Sequence, residues 1–180
     1  MAPLFGVLVG GPSSRMGTPK GLLRTGDGEL LLERTIRIGR DANLRVALVG
    51  DASSYEGHAP EIPRIPDGEG AGPIGGLHGA LRSLSVEGQL ILVGCDMPYL
   101  RLTDLVRLAN DPRRGVIAPW RDDWEPLFTR YDAALLPELE DYLETGRRSL
   151  RGFLDRVKPH RFEVDGATLN DWDRPEDIPD

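Results

Sequence analysis

Apolar runs punctuate the chain at wide intervals, and polar, helix-patterned stretches fill the gaps. Leu4 to Val9 is apolar but for Gly6, and Pro3 and Gly10-Gly11-Pro12 bound it. Leu44 to Val49 ends at Gly50-Asp51, Leu90 to Val93 ends at Gly94, and Gly115 to Pro119 is a shorter fourth run. Apolar residues at successive positions predict strands buried on both faces, the habit of a parallel sheet. Between them, Leu31, Leu32, Thr35, Ile36 and Ala42 fall near one helical stripe, with Glu33, Arg34, Arg37 and Arg40 outside it. Leu77 to Leu84 predicts a second helix, and Asp104 to Ala109 a third with Thr103 as N-cap. This alternation predicts an α/β fold, a mostly parallel sheet with helices on both faces.

The last third reads differently. Leu127 to Tyr131 predicts a strand, Ala133 to Glu144 and Ser149 to Val157 predict helices, and Arg161 to Val164 a short strand. No repeat, low-complexity tract or long linker divides the chain, so one domain over residues 1–180 is expected. The longest irregular stretch is Asp51 to Gly76, and such stretches in compact domains are usually functional.

Composition narrows the function. Twenty-nine acidic residues against 22 basic ones give a net charge of −7, which disfavours non-specific binding to nucleic acid or membrane surfaces. A single cysteine, Cys95, excludes an intrachain disulfide and Cys-based zinc sites, and it reads as a small buried apolar residue. His58, His78 and His160 have no metal-binding spacing. No apolar run nears the ~20 residues of a membrane span. The N-terminus lacks the basic-then-apolar pattern of a secretory signal, so a cytoplasmic location is expected. Of the 22 cationic residues only Lys20 and Lys158 are lysine. A coding bias explains the count, but it draws attention to where each lysine stands.

Ligands on open α/β sheets bind beyond the carboxyl ends of strands. After the first strand, Gly10 to Lys20 combines paired glycines, two serines, Arg15 and Lys20. Backbone amides there can approach a phosphate that Arg15 and Lys20 neutralise. A solvated turn with two surface cations accounts for the composition equally well. The loop is neither a Walker A sequence nor GxGxxG. After the third strand, Asp96 in Cys95-Asp96-Met97-Pro98 suits Mg²⁺, which takes one or two carboxylates plus phosphate oxygens. A turn cap is the plainer reading. In Asp67 to Leu77, five glycines between positions 68 and 76 open a predicted helix, so a flat ring can lie against the main chain beside Asp67, and a flexible helix-entry loop accounts for them equally well. Near the end, Asp171, Asp173 and Pro175 read as a helix start or as carboxylates completing a site. Arg147, Arg148 and Arg151 are either contacts for an anionic acceptor or a solvated helix end.

Taken in order, LVGGPSSRMGTPK, DGEGAGPIGGL, CDMP, WEPL and DWDRPED closely resemble the molybdenum cofactor guanylyltransferases, over nearly the whole chain. That family belongs to the nucleotidyltransferases with a three-layer Rossmann-like fold. The resemblance implies transfer of GMP from GTP to the phosphate of molybdopterin, with Mg²⁺ and release of pyrophosphate. It implies that Leu8, Val9, Gly10 and Gly11 face the nucleotide and that Lys20 and Arg15 bind phosphates. It further implies that Asp67 contacts base or ribose beside Gly72 and Pro73, and that Asp96 is the metal ligand. GTP and molybdopterin are the implied partners, with room for transient contact with proteins that make or receive the cofactor. Two departures stand out. The family's terminal Asn-x-Asn-Thr-Pro is replaced here, with Asp171, Asp173 and Arg174 at the matching positions. After the second strand, Gly50 and Asp51 stand where some members carry an Asn. A CTP-using relative and a catalytically silent GTP-binding adapter are the alternatives.

Overall fold

The computed structural model describes residues 2–10 and 19–172. Among these, one sheet contains β1 (Leu4–Val9), β2 (Arg45–Gly50), β3 (Arg64–Ile65), β4 (Gln89–Gly94), β5 (Val116–Pro119), β6 (Thr129–Asp132) and β7 (His160–Phe162). Their order across the sheet is β3-β2-β1-β4-β6-β5-β7. β1 lies between β2 and β4 and runs parallel to both. β6 alone is reversed, antiparallel to β4 and β5. The nine residues between β5 and β6 are too few for the crossover a parallel neighbour requires. The expected mostly parallel α/β sheet is therefore observed, with one antiparallel strand inside it.

Helices cover both faces, in three layers. Phe5, Val7 and Val9 of β1 point to one side, where they join a core with Leu32 and Ile36 of α1 (Leu31–Asp41) and Leu105 and Leu108 of α3 (Leu102–Ala109). On the other side, Leu4, Val49 and Leu92 pack with Ile74 and Leu77 of α2 (Pro73–Arg82). Leu139 of α4 (Leu136–Glu144) and Phe153 of α5 (Leu150–Val157) complete that core. Strand side chains alternate between faces, so a strand apolar at every position serves both cores at once.

Several boundaries shift by a few residues from the sequence reading, and those at helix starts have clear causes. α2 begins at Pro73, ahead of Leu77, because proline at the first helical position carries no amide to leave unpaired and is preset in φ. α3 begins at Leu102 with Arg101 as its N-cap, so Thr103 lies inside the first turn and does not cap it. The stretch from Ala133 opens as a 3₁₀ turn (Ala133–Leu135) before α4. Ser149 does cap α5, its Oγ accepting from the Gly152 amide at 3.2 Å. No helix among the described residues is long and apolar enough to cross a membrane.

The topology selects one place for a ligand. From β1 the chain moves outward to β2 and β3, then returns to place β4 on the other side of β1. Strand order reverses there, and in open α/β sheets such a reversal places a crevice at the carboxyl ends of the two strands.

Candidate active site

Two of the residues singled out from the sequence meet in that crevice. Leu8 pairs in register with Gly94, so the ends of β1 and β4 lie side by side. The Lys20 ammonium donates to Asp96 Oδ2 at 2.7 Å, across 76 positions of sequence. Both side chains are partly exposed, Lys20 at 25% and Asp96 at 14%, so the pair is reachable from solvent.

Tyr55 steadies the turn that carries Lys20. Its hydroxyl accepts from the Gly21 amide at 3.2 Å, within the 3₁₀ turn Lys20–Leu22. The same hydroxyl lies 3.7 Å from Cys95 Sγ, next in sequence to Asp96. Tyr55 thus bridges the supports of both halves of the ion pair. No local sequence signal marks it, since it sits in an irregular stretch far from either partner. Tyr55→Phe deletes the acceptor at Gly21 and keeps the ring. The buried Gly21 amide loses its acceptor, so the Tm should fall measurably and amide exchange at Gly21 should quicken, as thermal melts and hydrogen exchange would report.

Cys95 is buried at 7% exposure, as its apolar reading predicts. Burial first, then the Asp96 carboxylate, pushes its thiol up to about 12. The thiolate is the reactive form, so Cys95 should resist alkylation at neutral pH in the folded protein and react fully in denaturant. Rapid labelling of the native chain would contradict that burial.

On the β2 side of β1 lies a second group. Gly50 has φ +100°, a backbone region side chains rarely adopt, and a β-carbon there would sit 2.5 Å from the Val9 carbonyl oxygen. Asp67 turns its carboxylate toward this bare surface. Its Oδ1 lies 3.4 Å from where a β-carbon at Gly50 would stand and 3.5 Å from the corresponding point at Gly76. Gly10 approaches the backbone of Asp51 closely, which brings the end of β1 to the same spot. Asp51 itself accepts from the Ser53 amide at 2.9 Å. Val9 is buried, Leu8 half-buried and Gly10 exposed, so this strand end is open at its tip. Gly72 is the N-cap of α2 and Pro73 its first residue, both exposed.

Burial, and then the neighbouring Asp51 charge, raise the Asp67 carboxyl above the usual aspartate value of 3.8. A raised acid holds its proton more tightly folded than unfolded. It therefore costs stability once pH climbs through that value, and the cost is fully present at neutral pH. Asp67→Asn should raise the Tm of the ligand-free protein only slightly at neutral pH, since Asp67 is exposed and its charge is screened. The gain should vanish below the ordinary aspartate range, as melts across a pH series would show.

The C-terminal stretch closes the crevice from the other side. Buried Asp104 of α3 accepts from Thr168 Oγ1 at 3.1 Å, tethering the 3₁₀ turn Gly166–Leu169. Beyond it the Trp172 amide donates to the Asp96 carbonyl at 3.1 Å. Asp171 is thereby brought beside Asp96, and with Glu125, Leu127 and Arg151 they line a cleft of about 140 Å³. The WEPL stretch supplies part of this wall. Of the three clustered arginines, Arg151 lines the cleft, 3.9 Å from carboxylate oxygens of both Asp123 and Glu125. Arg148 instead donates to the Leu143 carbonyl at 2.7 Å, capping α4. Gly11, Arg15, Asp173 and Arg174 lie outside the described residues. Lys158, the other lysine, is the left-handed C-cap of α5, a structural post where its charge also suits the helix dipole.

The family description "MobA-like NTP transferase domain" matches residues 6–161, and the chain belongs to that family. A probable molybdenum cofactor guanylyltransferase of Methanothermobacter thermautotrophicus is 31% identical over 96% of this chain and 95% of its own length. A molybdenum cofactor guanylyltransferase of Xanthomonas euvesicatoria is 32% identical over 88% of this chain and 81% of its own. Among solved structures, molybdopterin-guanine dinucleotide biosynthesis protein A of Archaeoglobus fulgidus superposes with a TM-score of 0.77 at 25% identity, covering 97% of this chain and 94% of that one. A cytidylyltransferase of Thermus thermophilus, acting on 2-C-methyl-D-erythritol 4-phosphate by name, has the same fold at 20% identity and a TM-score of 0.68, covering 98% of this chain and 94% of that one.

Proposed function

We propose that the protein transfers GMP from GTP to the phosphate of molybdopterin, releasing pyrophosphate and forming the guanine dinucleotide form of the molybdenum cofactor. The observation that carries this reading is the meeting of Lys20 and Asp96 at 2.7 Å in the strand-order crevice of a chain from this family. The names of its relatives supply the substrates. The acceptor phosphate attacks the α-phosphate and the pyrophosphate leaves, so binding, orientation and charge neutralisation do the chemical work.

Each residue has a part. Lys20, with Arg15 from the same loop, neutralises the pyrophosphate that leaves. Leu8, Val9, Gly10 and Gly11 give a main-chain surface for the nucleoside, and Gly72 and Pro73 wall it. The carboxylates of Asp51 and Asp67 make the nucleoside end acceptor-rich. Guanine offers N–H donors on both N1 and its exocyclic amine, which a carboxylate can accept together, whereas cytosine offers only its exocyclic amine beside acceptors. That chemistry favours GTP over CTP. Arg151 stands where an anionic acceptor would enter the cleft.

The cleft's oxygen donors also fit Mg²⁺, which needs few protein carboxylates when phosphates supply the remaining ligands. Asp96 would hold it, with Asp171 lining the same cleft. Asp171 keeps an oxygen ligand where the resembling family has Asn. When bound, the metal neutralises charge on the phosphate oxygens. With an overall charge of −7, capture of two anionic substrates falls to this local cationic loop. The test is pyrophosphate release from each of the four NTPs, with Mg²⁺ and molybdopterin. GTP alone should turn over efficiently. Equal or faster release from CTP would replace the guanine assignment, and tight GTP binding without any release would mark a silent adapter.

A further inference from the structure

His78 is a fully buried polar side chain that the transfer chemistry does not use. It stands on α2, beneath the loop that carries Asp67. The Glu69 amide donates to its Nδ1 at 2.7 Å. A ring nitrogen that accepts cannot carry a proton, so the neutral ring is protonated at Nε2. That nitrogen faces Glu140 Oε1 of α4 at 3.4 Å. One residue earlier the Gly68 amide donates to the Gly75 carbonyl of α2 at 2.9 Å. Two consecutive amides directly after Asp67 are thus held by α2, one by main chain and one by the imidazole. The approach is close: a β-carbon at Gly68 would overlap Nδ1, and one at Gly79 would overlap the Pro66 carbonyl.

We infer that His78 is a positioning residue for the nucleotide: as the Nε2–H tautomer it pins the Glu69 amide and so sets Asp67 against the bare ends of β1 and β2. This rests on the nucleotide-binding reading of the Asp67 loop. An apolar side chain would fill the same buried space, but it would leave the Glu69 amide without its acceptor. The loop then keeps only the Gly68–Gly75 bond to hold Asp67 before substrate arrives, and binding must supply more of the ordering.

The hydrogen bond and mere packing predict opposite orders for two variants. His78→Asn keeps a side-chain oxygen near the place of Nδ1, whereas His78→Leu fills the pocket without any polar atom. GTP affinity should fall about tenfold in His78→Leu, with kcat at saturating GTP within about threefold of wild type. His78→Asn should recover most of the lost affinity. Wild-type affinity in His78→Leu together with weak binding in His78→Asn would overturn the proposal. Amide hydrogen exchange at Glu69 in the ligand-free protein gives an answer that does not depend on the enzyme's substrate. Exchange should be slow in wild type and His78→Asn and fast in His78→Leu, and equal rates in all three would overturn the pinning. A wild-type protein that fails to bind GTP but shows this exchange pattern would sink the nucleotide reading of the loop and, with it, the affinity role of His78. Should His78→Leu not fold, the ¹⁵N spectrum of the wild-type imidazole decides, because a protonated Nδ1 contradicts the tautomer.

Discussion

Lys20→Ala is expected to lower GMP transfer by at least an order of magnitude, ~1.4 kcal/mol or more in the barrier. The ammonium sits on a turn that Tyr55 holds by the Gly21 amide, and it reaches Asp96 across the crevice between β1 and β4. A cation in that position is available to the charge that develops on departing pyrophosphate. Loss of such a contact should appear in kcat as well as KM, because the charge grows in the transition state. Lys20→Arg is the sharper version. Arginine is the habitual cation of this chain, yet its planar fork is bulkier than an ammonium and directs its donors differently. Transfer should be impaired there too, with folding intact by thermal melt, since Lys20 is partly exposed. Unchanged steady-state kinetics in both variants would return Lys20 to the ordinary surface.

Asp96→Asn is expected to be at least as damaging, again about tenfold or more in transfer. The substitution keeps the shape and removes the charge that faces Lys20. It also weakens the oxygen donor that the proposed function assigns to Mg²⁺, and amide oxygens are the poorer ligands for that hard cation. Transfer should therefore fall, and the Mg²⁺ concentration giving half-maximal rate should rise. A lower rate with an unaltered Mg²⁺ dependence would assign Asp96 to positioning Lys20 rather than to the metal. A wild-type rate would remove it from the site.

Much of this architecture is legible in the sequence, for a physical reason. Strands buried on both faces are apolar at nearly every position, so β1, β2 and β4 announce themselves as apolar runs, broken only by Arg45 at the start of β2 and Gln89 at the start of β4. Gly50-Asp51 and Gly94 then mark where those strands end, and hence where to look for the site. Lys20 and Asp96 stand out because they follow such strand ends, and Asp67 because it opens a glycine-rich stretch. β3 is silent: its two residues, Arg64 and Ile65, are too few to show any period. The reversal of β6 leaves no trace in its own residues, and only the shortness of the preceding connection implies it. α2 hides its first turn because glycine and proline read as loop, although proline suits a helix start.

Tyr55 and His78 are invisible for a different reason. Each acts through an acceptor atom aimed at a backbone amide remote in sequence, 34 and 9 positions away. An amide carries no residue-type signal, so no spacing rule finds its partner. The cleft role of Arg151 against the capping role of Arg148 is likewise not set by composition: Arg148 lies in the loop after α4 and Arg151 in the first turn of α5.

The most direct test of the account follows the α-phosphate of GTP. Purified protein is given α-labelled GTP, Mg²⁺ and molybdopterin, and the label is traced. The account predicts label in a pterin dinucleotide, with pyrophosphate released in equal amount and without label. Label recovered as GDP, or left in GTP while labelled CTP is consumed, would contradict it.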